Sequence, residues 1–179
     1  MKDAYKLENM ARAAKVKLMI FDVDGVLTDG SLHYGADGEA LKTFNVHDGL
    51  GIKLLQESGV QTAIISARIS AQVAKRAADL GISHVHQGGH DKLTPFNALL
   101  DQLGLTAEQV GFIGDDVVDL PILRRVGFAV SVPNGRSDVH ARAHHITEAA
   151  GGRGAVREVC EFILHAQGSY ERVMAQFLV

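Results

Sequence analysis

Short apolar runs alternate with helix-period segments that close on glycine through most of this chain. Residues 16–21 predict a first strand, because an apolar run this short and continuous suits a buried strand. Residues 31–44 then alternate around Ala36-Asp37-Gly38, a hairpin signal. Asp48 is the expected N-cap of a helix over about 49–58, closed by Gly59. A strand over 61–65, a helix over about 70–80 ending at Gly81, and a short strand near Ser83–His86 come next. After Gly88-Gly89, a helix over about 93–103 ends at Gly104, and Val110–Ile113 reads as another buried strand. A short helix over about 117–125 places Pro121 in its first turn, where proline is tolerated. Gly127–Val132 gives a fifth strand, 137–143 a short helix, Ile146 a last edge strand, and Gly154 to about Gln167 a further helix.

Strands spaced by helices imply βαβ units. The expected fold is therefore α/β, a Rossmann-like three-layer sandwich with a mostly parallel sheet. The hairpin interrupts the alternation and reads as a small flap over about 31–44, with a C-terminal tail over about 151–179. Neither an internal repeat nor a second domain is visible, so a single domain over 1–179 is expected. Its 179 residues suffice for one sizeable core.

Composition removes whole classes of function. A net charge of −3 offers no basic nucleic-acid surface. Cys160 is the one cysteine, which rules out an internal disulfide framework and fits a reducing compartment. No apolar stretch reaches the roughly 18 residues that span a bilayer, and Met1–Tyr5 lacks the apolar core of a signal peptide. A cytoplasmic protein with neither a membrane nor a nucleic-acid partner is expected.

The chemistry lies at the strand ends. In open parallel sheets ligands bind outside the carboxyl ends of the strands. Asp22 and Asp24 follow the first strand, Ser66 and Arg68 the second, and Asp115 and Asp116 the Phe112-Ile113 strand. All should fall on one edge. A buried strand ending in unpaired carboxylates is costly, and a divalent cation would remove the conflict. Mg²⁺ takes carboxylates, waters and substrate phosphate. One of Asp22 and Asp24 could attack phosphorus while the other handles a proton. Ser66 offers a hydroxyl donor and Lys92 a point charge for phosphate. Gly114-Asp115-Asp116-Val117-Val118-Asp119 adds carboxylates enough to hold the ion. Taken singly, each has a plainer reading: an Asp-Gly turn, a strand-end Ser, a solvated Lys, an Asp119 that merely caps a helix.

Asp22-Val23-Asp24-Gly25-Val26-Leu27-Thr28, Ser66, Lys92 and Gly114–Asp119 together resemble the successive motifs of the haloacid dehalogenase superfamily. Thr28-Asp29-Gly30, the hairpin, Phe44–Ile52 and Gly151–Glu158 are similar to its capless branch, the 3-deoxy-D-manno-octulosonate 8-phosphate (KDO 8-phosphate) phosphatase family. One departure is Ala67, where that family often carries glycine. The resemblance implies Asp22 as nucleophile and Asp24 as general acid/base. It implies Mg²⁺ held by Asp22, the backbone carbonyl of Asp24, and Asp115, with Asp116 and Asp119 behind them. Ser66 and Lys92 would bind the phosphoryl group, and Arg68, Thr28, Asn45 and Arg153 the rest of the substrate. The implied activity is phosphoric monoester hydrolysis of a sugar acid phosphate in lipopolysaccharide biosynthesis, by a homotetramer joined through its hairpins. A nine-carbon sialic-type sugar acid 9-phosphate is the neighbouring substrate. A phospho-accepting receiver domain or a silent scaffold is the reading outside this chemistry.

Overall fold

The computed structural model describes the backbone of residues 2–178 and the side chains of residues 7–178. Met1, first residue of the N-terminal stretch, and Val179, last of the tail, lie outside the described residues. Six parallel strands form the main sheet: β1 (Leu18–Phe21), β4 (Gln61–Ser66), β5 (His84–Gln87), β6 (Val110–Gly114), β7 (Phe128–Ser131) and β8 (His145–Ile146). Their spatial order is β5-β4-β1-β6-β7-β8. The chain starts in the middle, builds one half outward, then returns to the other side of β1. This reversal opens the crevice in which such sheets bind ligands.

β1 pairs with β4 through Phe21↔Ile64 and with β6 through Phe21↔Ile113. All four of its residues are buried, as befits a parallel strand covered on both faces. Alternation divides the core. Met19 and Phe21 pack with Ile64, Ile113 and Phe128 under α2 (Val46–Glu57) and α7 (Ala155–Ala166). Leu18 and Ile20 pack with Ala63, Ile65 and Phe112 under α4 (Leu93–Leu103). The expected hairpin forms a second, antiparallel sheet, β2 (His33–Gly35) with β3 (Gly38–Leu41), with Tyr34 opposite Glu39.

Helix ends follow local chemistry. α3 (Ala71–Leu80) starts where Ser70 Oγ accepts from the Val73 N–H and ends at Gly81 with φ 71°. α4 spans the expected residues and ends at Gly104. The start of α2 differs from expectation. Asn45 is its N-cap, accepting from the His47 N–H at 2.7 Å and the Asp48 N–H at 3.4 Å. Asp48 is buried inside the first turn, where its Oδ1 accepts from the Arg157 N–H at 2.8 Å. It thereby caps α7, whose own N-cap is Gly154 and has no side chain to do so. Burial pushes the Asp48 carboxyl upward, against these backbone donors. The helix expected over 117–125 is split into a 3₁₀ turn, Val117–Asp119, and α5 (Leu120–Leu123).

Two further helices lie outside the expected pattern. α8 (Tyr170–Met174) follows α7. α1 (Lys2–Ala13) packs on α7 and β7. Its buried described positions are Asn9 and Ala13, polar and small, so no apolar stripe marks the described part of the helix. Asn9 Nδ2 donates to the His144 carbonyl at 2.6 Å.

Gly127 leads into β7, and a Cβ there would collide with the Glu108 backbone carbonyl. Backbone cannot step aside as a side-chain tip does, so Gly127→Ala should cost about 1–3 kcal/mol, read as a lower urea midpoint. His144 gives a pH-dependent counterpart. Its Nδ1 accepts from the Ala129 N–H at 2.9 Å, and burial, then Arg12, hold its pKa below the ordinary value, with Glu8 opposing. The unfolded chain therefore takes up the proton first. The His144 contribution should be complete above about pH 6.5 and fade as the pH falls below it. His144→Asn, which keeps an acceptor without titrating, should flatten that loss in urea melts.

Candidate active site

The main-chain ladder carries Asp22 one residue past β1: its N–H donates to the Ile113 carbonyl at 3.1 Å. The chain then turns sharply at Gly25, φ 91°. Thr28 Oγ1 staples this loop, accepting from the Gly25 N–H at 3.4 Å and the Gly30 N–H at 3.2 Å. Glycine is required at position 25 twice over: the φ is left-handed, and a Cβ would collide with the Asp115 carboxylate.

Asp22, Asp24, Ser66, Ala67, Arg68, Lys92, Asp115, Asp116 and Val118 line one cavity of about 150 Å³. They come from the carboxyl ends of β1, β4 and β6 and from the start of α4. A larger cavity, about 480 Å³, lies between the hairpin base and α3, lined by Lys42, Phe44, Gln72 and Arg76 among others. The smaller one holds the acid cluster and is the candidate site.

Lys92 is 2% exposed. Its Nζ donates to Asp22 Oδ1 at 2.7 Å and to Asp119 Oδ1 at 2.6 Å. Burial works against the ammonium, yet Asp22 and Asp119 together raise its pKa above the ordinary value. Asp119 Oδ2 accepts from the backbone N–H groups of Asp115 at 3.0 Å and Asp116 at 3.2 Å. Both Asp119 oxygens are thus engaged, and its side chain does not cap α5.

Asp22, Asp115 and Asp119 each offer a carboxylate oxygen within 4.8 Å of the others. Burial, then Asp119, pushes the Asp22 carboxyl upward against the pull of Lys92. Burial, Asp119 and Asp116 do the same to Asp115. Asp115 Oδ1 is buried without a hydrogen-bond partner among the described residues. One ammonium does not neutralise this cluster, and a hard divalent cation fits what is left over. Asp22 and Asp115 face the cavity and could hold it, whereas Asp119 is committed to Lys92 and the loop.

Asp24 turns toward the hairpin. Its Oδ1 accepts from Lys42 Nζ, and its Oδ2 lies 3.7 Å from Arg68 Nε. Lys42 also pairs with Glu39 at 2.6 Å, and its side chain is 1% exposed. Arg68 donates to Glu39 Oε2 at 3.3 Å and to the Tyr34 hydroxyl at 3.2 Å. Sequence reasoning missed Lys42, Glu39 and Tyr34. On a continuous strand residues 39 and 42 would face opposite sides, and their convergence depends on the chain leaving β3 after Leu41, which the alternation does not show.

Thr28, Asn45, Arg153 and Asp119, also expected at the site, lie outside the cavity lining. Thr28 is buried in the loop it staples, and Asn45 caps α2. Arg153 is exposed and pairs with Asp29 at 3.4 Å. Asp116 is exposed at the cavity rim and accepts from the Val117 N–H at 2.7 Å. Asn134 belongs to none of the motifs, yet it bridges two loops: Nδ2 donates to the Gly25 carbonyl at 2.9 Å, and Oδ1 accepts from the Gly151 N–H at 2.8 Å. The Gly152 N–H adds a bond to the Val26 carbonyl at 2.8 Å. A Cβ at Gly151 would collide with the Gly25 carbonyl, so the glycine run 151–154 is what lets the two loops touch.

This geometry agrees with comparison to known proteins. A family profile described as haloacid dehalogenase-like hydrolase matches residues 81–159. The 3-deoxy-D-manno-octulosonate 8-phosphate phosphatase of Escherichia coli (strain B / BL21-DE3) is 45% identical over 167 residues, covering 93% of this chain and 89% of that protein. The crystal structure of the phosphatase of that name from Yersinia pestis superposes with a TM-score of 0.90 at 46% identity, covering 92% of this chain and 89% of that one. Its Moraxella catarrhalis counterpart, solved with magnesium ion, phosphate ion and a KDO molecule, gives 0.92 at 46% identity over 95% and 98% of the two chains. Matched in sequence and in fold along nearly its whole length, the chain belongs to the 3-deoxy-D-manno-octulosonate 8-phosphate phosphatase family of haloacid dehalogenase-like hydrolases.

Proposed function

We propose that this protein hydrolyses 3-deoxy-D-manno-octulosonate 8-phosphate to the free sugar acid and inorganic phosphate, a step toward lipopolysaccharide. The carrying observation is Asp22, a buried carboxylate held by Lys92 at the mouth of β1 and lining the cavity beside Ser66 and Asp115. A carboxylate oxygen of Asp22 attacks phosphorus, and the ester P–O bond breaks to leave an aspartyl phosphate. Asp24 protonates the departing sugar oxygen, then takes a proton from the water that hydrolyses the acyl phosphate. Lys92 and Ser66 hold the phosphoryl oxygens, while Asp119 fixes Lys92 and Asp116 closes the loop beside Asp115. Asp22, Asp115 and the backbone carbonyl of Asp24 would hold Mg²⁺. When bound, the ion neutralises negative charge shared by the acids and the phosphate.

Arg68 lines the cavity and suits the substrate carboxylate. Arg153, released from Asp29, would reach the same anion. Thr28 and Asn45 serve the substrate through the loop and helix they secure. The hairpin exposes Tyr34 and Leu41, 64% and 49% exposed, with Leu32 beside them at 43%. An isolated two-stranded hairpin leaves apolar surface and edge groups uncovered. Pairing of hairpins in a homotetramer would cover both, and neighbouring copies would wall the open site. We further read the chain as one cytoplasmic domain. Among the described residues no helix is long and apolar enough to cross a membrane.

Asp22→Asn should cut phosphate release by about 10³-fold or more while circular dichroism stays native; near-normal turnover would refute the nucleophile. Comparing kcat/KM on eight-carbon and nine-carbon sugar acid phosphates checks the substrate. Because Asp22 and Asp115 are shifted upward, protons compete with the metal. Mg²⁺ binding should weaken as the pH falls from about 8 to about 6, and calorimetry in buffers of different ionisation heat should detect proton release.

A further inference from the structure

We propose that Lys42, carried by the hairpin, is a positioning residue for Asp24, so that the flap controls protonation of the leaving group. The inference rests on the reading of Asp24 as acid/base. Lys42 reaches the site from outside the sheet, yet its side chain is 1% exposed. A buried ammonium is retained only where carboxylates surround it, and here these are Asp24 and Glu39. The Asp24 carboxylate is thus gripped at Oδ1 by Lys42 while Arg68 stands 3.7 Å from Oδ2. Lys42 makes the one hydrogen bond to this carboxyl group among the described residues, and the guanidinium faces the other oxygen without one. Arg68 also binds Glu39 and Tyr34, which closes the network back onto the hairpin. Gln72 Nε2 adds a bond from α3 to the Ala40 carbonyl at 3.2 Å. The flap is therefore moored to the catalytic body chiefly through the groups that hold Asp24.

The role concerns one proton. As the ester P–O bond breaks, Asp24 gives its proton to the leaving oxygen and is left as the carboxylate that Lys42 grips. An alkoxide needs that proton, whereas a nitrophenolate leaves without it. The experiment is a series of phosphate monoesters from alkyl to nitrophenyl, followed by log kcat/KM against leaving-group pKa. Lys42→Met should lose about 10²-fold on alkyl esters and far less on the nitrophenyl ester, which steepens the dependence. Glu39→Gln, which keeps Lys42 but frees its second anchor, should steepen it in the same direction by less, and it decides the matter if Lys42→Met does not fold. In an Asp24→Asn background, Lys42→Met should add little. An equal loss on every ester, an unchanged slope, or a full additional loss in that background would overturn the proposal. Wild-type protein that cleaves the nitrophenyl ester but no sugar acid phosphate would refute the substrate reading and leave the slope comparison standing. Cleavage of neither class would overturn both.

Discussion

Asp22, Asp115 and Asp119 are brought together at the end of a buried strand, and Lys92 is the ammonium placed among them. That imbalance governs the rest of the site. Carboxylates at such spacing repel, and removal from water makes Asp22 and Asp115 harder to ionise. The protein relieves part of the conflict internally, with Lys92 and with backbone N–H groups aimed at Asp119. It leaves the remainder on Asp22 and Asp115. A site that is short of positive charge attracts a metal ion and then, through the metal and Lys92, a phosphate.

The fold supplies this convergence at little cost in special geometry. β1, β4 and β6 are adjacent and parallel, so residues far apart in sequence end at the same height. Acids after β1 and β6, and the hydroxyl at the end of β4, then meet without long loops. Where close approach is needed, glycine provides it: Gly25 admits the Asp115 carboxylate, and Gly151 admits the Gly25 carbonyl. The hairpin reaches the same place from outside the sheet, carrying Lys42 and Glu39 to Asp24.

Much of this architecture is legible in the amino-acid sequence. Buried strands declare themselves by apolar runs, and their polar ends by contrast, which is why Asp22, Ser66 and Asp115 can be placed on one edge. The helix over Leu93–Leu103 is equally plain from its period and from Gly104. What escapes are contacts whose local signal points elsewhere. Asp48 has the composition of a cap for its own helix but caps a neighbour across the core. Asn134 sits in a turn-like Pro-Asn-Gly run, a pattern that is complete without any distant partner. Among its described side chains α1 buries an asparagine and an alanine rather than a leucine stripe, and it packs on α7 and β7.

The Asn134 bridge bears on how the protein comes into being. It joins a carbonyl at position 25 to an amide at position 151, and Asp48 is tied to position 157 in the same region. A chain emerging from the ribosome would expose the loop that follows β1 early, yet that loop is without these late partners until most of the polypeptide has been made. Contacts of such sequence separation close slowly. Competence for catalysis therefore arrives as one of the last events of biosynthesis, and a prematurely terminated product would carry Asp22 and Asp24 on an unsecured turn.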